Sequence, residues 1–219
     1  MKYINIHTHK QSGNENVLQI VNIDNLESFC KNDKFYSLGF HPWLLKTQNI
    51  NDLDFKLLEE LSTNKNIIAI GETGIDRHIN VSVEKQIELL DFHISLAGKL
   101  NKALIIHCVR AYSDFLQILK NNSKQIFIFH NFNSNYETAK KLIEKGAFLS
   151  FGTALLRNRK LQDVFVKLAG ENVFLENDDS CFDIVELYKF ASEVLKTDSL
   201  SLQKKIYNNF NKVFPIIYE

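Results

Sequence analysis

The sequence predicts an α/β fold, a TIM-type (β/α)8 barrel in a single domain spanning residues 1–219. Short apolar runs alternate with segments of helical period, which is typical of a parallel sheet with crossover helices. There are eight such runs, and eight is the strand number of a closed barrel. The chain has only 2 prolines and no evident repeat or linker, which favours one domain. An open, doubly wound sheet is the structural alternative.

The predicted strands are the apolar runs at 3–7, 17–23, 36–40, 67–72, 103–107, 126–130, 147–152 and 173–178. The helices are expected where apolar residues recur at helical spacing, over 51–63, 82–100, 111–121, 134–145, 159–169 and 182–196. The segments 10–16 and 24–34 leave too little room for full crossover helices, so the first units of the barrel are expected to be trimmed.

The helix boundaries have their own signals. Ser82, Ser134 and Asp183 are residues that commonly cap helix N-termini. Gly146 and Gly170 are placed where glycine commonly ends a helix. These five positions therefore predict where three helices begin and two end.

Composition excludes several functional classes. Hydrophobic residues make up 45% of the chain and charged residues 24%, as in ordinary soluble proteins. The net charge is zero, so no whole-protein field favours nucleic acid or an anionic membrane. Cys30, Cys108 and Cys181 form no CxxC pair, which favours a reducing compartment. With no signal peptide, membrane span or coiled-coil seam, a cytoplasmic monomer without an obligate protein partner is expected.

Polar residues that commonly bind metals fall at the ends of the predicted strands. In a barrel, the C-terminal strand ends converge on one mouth, where the active site lies. One such residue is the last of each of five strands, and a further histidine lies two residues beyond the first of them. The six candidate ligands are His7, His9, Glu72, His107, His130 and Asp178.

The spacing of His7 and His9 supports a metal site. Alternate residues of a strand face the same side, so both imidazoles would reach one ion. A single histidine at a strand end is more often an ordinary hydrogen-bonded residue. The chain has only 7 histidines, however, and four lie at these positions. Imidazoles with carboxylates suit Zn, Mn, Fe, Co or Ni better than Ca.

For other polar residues the sequence leaves more than one role open. His41 ends a strand and either contacts substrate or orders its loop. Arg110 and Arg157 follow the fifth and seventh strands and are candidates for phosphate contacts, with an exposed surface role as the alternative. His78 is expected in a loop, His93 in a helix with a packing or solvent role.

The ordered motifs resemble those of the TatD family of metal-dependent deoxyribonucleases, within the amidohydrolase-like barrels. The resemblance covers nearly the whole chain, and it is the order of the motifs that makes it specific. The motifs are Asn5-Ile6-His7-Thr8-His9, Gly39-Phe40-His41-Pro42-Trp43, Ala69-Ile70-Gly71-Glu72-Thr73-Gly74-Ile75-Asp76, Ile106-His107-Cys108, His130-Asn131-Phe132, Ser150-Phe151-Gly152, Leu175-Glu176-Asn177-Asp178 and Asn209 with Val213-Phe214.

The resemblance implies an enzyme with two divalent metal ions, of Zn, Mg or Mn. His7, His9 and Asp178 would hold one ion and His107 and His130 the other, with Glu72 bridging both. Such an enzyme would hydrolyse phosphodiester bonds of single-stranded DNA as an exonuclease, through a metal-bound hydroxide. Asp178 would act as general base, and Glu72 is the second residue with a catalytic role.

The chain also departs from the family pattern. Asn5 stands where the family has aspartate. It would lie behind the metal ligands and contact them, and there it lacks the negative charge that aspartate would add. Asn177 replaces threonine, and no proline follows Asp178.

Two other functions stay open. The shortened loop after Asp178 is compatible with an amidohydrolase-type enzyme acting on a small ester, lactone or phosphate ester. A degenerate relative that binds metal or a partner without turnover is the third possibility, and retention of all six ligands counts against it.

Overall fold

The computed structural model describes residues 1–29 and 34–215, so Cys30 lies outside the described residues. The strands are β1 Tyr3–Thr8, β2 Val17–Ile23, β3 Phe35–Leu38, β4 Ile67–Asp76, β5 Ala103–Val109, β6 Phe127–Phe129, β7 Phe148–Phe151 and β8 Val173–Leu175. The helices are α1 Phe55–Ser62, α2 Val83–Leu100, α3 Tyr112–Asn121, α4 Tyr136–Ile143, α5 Arg159–Leu168, α6 Ile184–Val194 and α7 Ser199–Val213. Short 3₁₀ turns lie at Leu26–Ser28, Pro42–Lys46, Ile50–Asp52 and Thr153–Leu156.

The strand order confirms the predicted fold class. The strands follow one another in chain order in one eight-stranded sheet, and Thr8 forms a parallel bridge with Asp178 just beyond β8. A strand beside both its successor and the last strand is the mark of a barrel. Among the described residues no helix separates β1 from β2, and only a 3₁₀ turn lies between β2 and β3. The trimmed first units are therefore also confirmed.

Several predicted strand ends were wrong, because burial and pairing continue past the polar residue. β4 does not stop at Glu72 but runs to Asp76, paired with β5 along Thr73–Asp76. β5 likewise extends beyond His107, to Val109. In contrast, β8 ends at Leu175, three residues before Asp178.

Helix boundaries agree with most of the predicted signals. Ser82 and Asp183 cap α2 and α6 through their side chains. Ser134 was the wrong start for α4, because the side chain of Asn135 accepts the hydrogen bond from the Thr138 N–H. The stops at Gly146 and Gly170 are confirmed, since both follow the helix ends with positive φ. Helix α7 was not predicted.

Within the described residues, no helix combines the length and apolar character needed to cross a bilayer.

The chain divides into two compact units. The terminal unit contains residues 1–20 and 130–219, and the central unit contains 21–129. In the terminal unit the buried Tyr188 hydroxyl donates to the Ile4 carbonyl and accepts from the Ile4 N–H, which fixes α6 against β1. Asn209 donates to the carbonyls of Gly170 and Val173 and fixes α7 near β8. The single domain stays a prediction.

In the central unit, β4 lies unusually close to β5. A Cβ atom at Gly71 would lie 2.4 Å from the Ile105 carbonyl oxygen, and one at Gly74 only 1.9 Å from that of His107. Both glycines also have positive φ, 134° and 153°. Only glycine satisfies both conditions, and the close approach sets the position of Glu72, which lies between them, relative to β5.

His93 connects α2 to the loop after β3. Its Nε2 accepts the Phe40 N–H at 2.9 Å, and its Nδ1 lies 2.7 Å from the Leu89 carbonyl oxygen. The ring is fully buried, and this burial lowers the pKa of His93 from 6.5 to about 4, although the Leu89 hydrogen bond acts in the opposite direction. His93 is therefore neutral and structural, as the packing interpretation predicts.

We expect Gly74→Ala to lower the free energy of unfolding by about 3 kcal/mol, because the new methyl group would overlap backbone that cannot move cheaply. Gly98→Ala is the matched control, since Gly98 lies within α2 with its nearest contact at 3.8 Å. That change should raise stability by about 0.5–1 kcal/mol through helix propensity. Urea unfolding of both variants measures the effect, and equal midpoints would contradict the close approach.

We expect His93 to make the protein less stable as the pH falls from 6.5 to about 4. In this window the unfolded chain binds a proton at His93 that the folded chain does not, so the free energy of unfolding decreases with decreasing pH. Urea midpoints of the wild type and His93→Gln should therefore converge on acidification. The exposed His78 provides the control through His78→Gln. A difference between wild type and His93→Gln that stays constant with pH would rule this out.

Candidate functional site

In the terminal unit, backbone pairing brings three of the predicted ligands together. The Asp178 N–H donates to the His7 carbonyl and the His9 N–H donates to the Asp178 carbonyl, each at 3.2 Å. The Oδ1 atom of Asp178 then lies 3.7 Å from Nε2 of His7 and 3.6 Å from Nε2 of His9. His7 is buried, while the other two side chains are partly exposed.

These separations fit a shared metal ion better than direct hydrogen bonds, which are about 2.7–3.2 Å long. Two ligand atoms on one tetrahedral ion, with bonds of about 2.0–2.2 Å, lie roughly 3.3–3.6 Å apart. The donor atoms of His7, His9 and Asp178 all lie within 4.8 Å of one another. Both the donor types and their spacing therefore fit a divalent metal.

A second carboxylate, Glu176, lies beside Asp178 and His130. The donor atoms of these three residues also lie within 4.8 Å of one another. Oε1 of Glu176 accepts the Asn131 N–H at 2.9 Å and lies 3.3 Å from Nδ1 of His130. Glu176 is 0% exposed, and within the described residues its Oε2 has no hydrogen-bond partner. A bound cation would satisfy such a buried oxygen.

Sequence reasoning missed Glu176 as a site residue. The available signal was its place in Leu175-Glu176-Asn177-Asp178, two residues before a predicted ligand. Asn131 was also missed. Its Nδ2 donates to Oδ2 of Asp178 at 3.2 Å, so one oxygen of that carboxylate is held by an amide while the other is near the histidines.

In the central unit, Glu72 lies between two histidines. Its Oε1 is 2.8 Å from Nδ1 of His107 and 3.1 Å from Nε2 of His41. The Glu72 N–H donates to Oδ1 of Asn22 at 2.9 Å, and the same oxygen accepts from the Ser37 hydroxyl. His41 thus belongs to a third group that can hold a metal. Its contact with substrate stays a prediction.

Asp76 is the second carboxylate of the central unit and was not predicted as a site residue. Its Oδ2 accepts the Trp43 indole N–H at 2.7 Å and lies 3.2 Å from Nε2 of His107. Its Oδ1 accepts the His78 N–H. Burial alone raises the pKa of Asp76, but the hydrogen bonds from Trp43, His78 and His107 outweigh it and lower the pKa. A carboxylate on the far nitrogen of a histidine is a common way to orient a metal ligand.

The remaining predicted residues are more dispersed. Arg110 is exposed at φ 52°, and among the described residues no hydrogen bond or ion pair joins it to another predicted site residue. Arg157 is exposed after the turn Thr153–Leu156. His78 lies in an exposed loop, as expected. Burial raises the pKa of the Cys108 thiol, and both Cys108 and Cys181 are free.

The structure therefore brings His7, His9, His130 and Asp178 together in the terminal unit and Glu72 with His107 in the central unit. Their imidazole nitrogens and carboxylate oxygens are donors suited to a transition metal or zinc. The number of ions, their identity and the bridging role of Glu72 stay predictions.

Asn5, predicted as a partner behind the ligands, has a definite contact. It is 1% exposed, and its Oδ1 accepts the N–H of Asn177 at 3.1 Å. It therefore supports the backbone immediately before Asp178. Both asparagine and aspartate have an oxygen that accepts this hydrogen bond.

Comparison with known proteins agrees with the motifs. The sequence profile of the family described as TatD related DNase matches residues 3–215. An uncharacterized metal-dependent hydrolase from Buchnera aphidicola subsp. Baizongia pistaciae is 31% identical over 197 residues, 81% of this chain and 73% of that protein. The uncharacterized metal-dependent hydrolase YcfH of Escherichia coli K12 is 32% identical over 149 residues, 65% of this chain. The match spans only 54% of YcfH, so the chain covers about half the length of that relative.

A crystal structure gives the same result for the fold. YjjV, a TatD homolog from Escherichia coli K12, superposes with a TM-score of 0.83 over 98% of both chains, at 20% sequence identity. At this identity the likeness concerns the fold alone, and it supports the barrel class.

We expect Asn5→Leu to weaken zinc binding about 10- to 100-fold, because support behind a metal ligand is lost. The change also leaves the Asn177 N–H without its acceptor, at a cost of about 1–3 kcal/mol in stability. Asn5→Asp keeps the acceptor and adds a negative charge, so it should bind zinc at least as tightly as the wild type. Calorimetric titration of zinc into the metal-stripped full chain measures both. Wild-type affinity in Asn5→Leu would show that the contact does not support the site.

Proposed function

We propose that this chain, which belongs to the TatD-related DNase family, is a metal-dependent hydrolase that cleaves phosphodiester bonds of single-stranded DNA, as an exonuclease. The observation that carries the proposal is the arrangement of His7, His9 and Asp178, whose donor atoms lie within 4.8 Å of one another. The family description and the relatives named metal-dependent hydrolases support it.

In this proposal His7, His9 and Asp178 hold one divalent cation, with Glu176 beside them. When bound, such a cation polarises a phosphoryl oxygen and makes water acidic enough to attack near neutral pH. In the assignment made from the sequence, His107, His130 and Glu72 would hold a second cation. The prediction that Glu72 bridges the two cations is retained as part of the proposal.

Asp178 has the contacts expected of the general base. Its Oδ1 is the oxygen nearest to His7 and His9, whereas its Oδ2 is fixed by the Asn131 amide. Asp178 would take a proton from the attacking water while the water oxygen bonds to phosphorus. The bond from phosphorus to the leaving sugar oxygen would break, and that oxygen would then take the proton from Asp178. Asn131 would keep the carboxylate in one orientation throughout.

The zero net charge of the chain is compatible with a polyanionic substrate. Bound cations are often the largest local charges in a site, so they supply attraction that the protein as a whole lacks. Arg157 adds a positive charge in the terminal unit. Binding of this kind would be confined to the site, without general affinity for nucleic acid.

We expect Asp178→Asn to lower the rate of cleavage of labelled single-stranded DNA by about 10²–10⁴-fold, because the base is lost. The neighbouring Asp179→Asn is the matched control, since the Asp179 side chain is exposed, and its activity should equal that of the wild type.

Removal of metal by a chelator should abolish cleavage, and added Zn, Mn or Mg should restore it. The metal content of each variant and its circular dichroism are measured in parallel.

The outcomes separate the parts of the proposal. Cleavage that resists the chelator, or a purified protein that takes up no metal, would contradict a metal-dependent hydrolase. Hydrolysis of bis(p-nitrophenyl) phosphate or a small ester with DNA left intact would contradict the DNA substrate and leave the hydrolase. Metal binding with no cleavage of any substrate would favour the degenerate relative.

A further inference from the structure

A cavity of about 410 Å³ lies in the terminal unit and has no role in the chemistry described above. Its polar lining consists of Asn131, Thr153, Ser180 and Arg157, and its aromatic lining is Phe182. The volume falls within the range of about 300–1,000 Å³ that is usual for small-ligand sites. The position of the cavity and the chemistry of its lining residues both indicate the class of ligand that it binds.

The cavity adjoins the proposed general base. Asn131 lines it and also donates from Nδ2 to Oδ2 of Asp178 at 3.2 Å. One side chain therefore contacts both the cavity and the carboxylate. A ligand in the cavity would be separated from the Asp178 carboxylate by the Asn131 side chain. Such proximity is expected between a substrate-binding subsite and its catalytic centre.

The walls of the cavity are held by local hydrogen bonds. The loop after Asp178 folds on itself, since the Ser180 N–H donates to the Asn177 carbonyl at 2.9 Å and the Phe182 N–H donates to the Ser180 hydroxyl at 3.1 Å. On the other side, the Arg157 N–H donates to the Ala154 carbonyl and closes the turn. The ring of Phe182 and the guanidinium of Arg157 are thus presented by ordered backbone.

The lining matches one chemical class of ligand. Among the described lining residues, Arg157 is positively charged and none has a carboxylate. The cavity therefore favours a ligand with a negative charge. Phe182 is 37% exposed, so its ring offers a flat surface on which a planar ring can stack. The hydroxyls of Thr153 and Ser180 can bond to sugar or base edges. A nucleotide combines both features, a phosphate and a planar, polar ring.

We propose that this cavity is the subsite for one nucleotide of a single strand of DNA, with the base stacked on Phe182 and a phosphate bound by Arg157. This inference rests on the proposed function, because it names where the substrate of that reaction is held.

The test measures binding separately from cleavage. The probe is a fluorescein-labelled thymidine tetranucleotide with phosphorothioate linkages, which keep the charge and resist hydrolysis, titrated into the full chain as purified. A second probe has the same backbone without bases. Fluorescence anisotropy gives the dissociation constants, and circular dichroism and thermal melting verify that each variant is folded.

We expect Phe182→Ala to weaken binding of the thymidine probe about 10-fold, since stacking on an aromatic side chain contributes about 1–3 kcal/mol per base. The base-free probe should bind the wild type and Phe182→Ala equally. Arg157→Gln should weaken both probes and reduce the slope of log affinity against log salt by about 0.7, the value for one phosphate contact on a single strand. Leu200→Ala and Arg159→Gln are the matched controls, an exposed apolar residue and a nearby cation outside the lining, and should behave as the wild type.

Affinities of Phe182→Ala and Arg157→Gln within twofold of the wild type would overturn the subsite, as would a wild type that does not bind the thymidine probe. The cleavage assay of unmodified DNA is scored independently. Binding that follows the expected pattern without cleavage would leave the subsite and refute the cleavage of DNA. Cleavage that is indifferent to both variants would leave the hydrolase and refute the subsite.

Discussion

The burial of carboxylates is the constraint on which the rest of the site depends. Glu176 is 0% exposed, Glu72 4% and Asp76 2%, and a buried charge is costly unless hydrogen bonds or opposite charges compensate it. The fold supplies those partners within each unit. The partners of Glu176 are the Asn131 N–H and His130, and the partners of Glu72 and Asp76 are histidines. Among the described residues Oε2 of Glu176 has no hydrogen-bond partner, and a cation at this oxygen would complete the compensation.

The sequence predicted the fold class and the ligand types because both depend on local patterns. Apolar runs define strands, and β2 was predicted with its observed ends. The residue after an apolar run was predicted as a strand end, and this failed at Glu72, since β4 continues to Asp76. The continuation depends on glycines that allow β4 to approach β5, a long-range contact that residue type alone does not reveal. The position of Glu72 within its strand could therefore not be predicted.

The missed residues share a physical cause. Asp76, Glu176, Asn22 and Asn131 act through side-chain hydrogen bonds to residues distant in sequence, from 31 to 50 positions away. Hydrophobic periodicity gives no information on such contacts, because it reports which face of an element is buried and not what a polar atom meets there. Motif spacing identified the candidate ligands but not the residues that contact them. For Asn131 in particular, only the structure relates the side chain to Asp178.

Strand β1 and the residues after it give the site two candidate ligands and also support the loop that follows β8. His7 and His9 are the candidate ligands. Three residues between and around them each form a hydrogen bond with one residue of the segment 177–179. Asn5 accepts the N–H of Asn177, the Thr8 hydroxyl donates to the carbonyl of Asp178, and Lys10 donates to that of Asp179. The loop, which has no proline directly after Asp178, thereby keeps a defined backbone. Asn5 fits this arrangement, since it provides the oxygen that accepts the hydrogen bond from the loop.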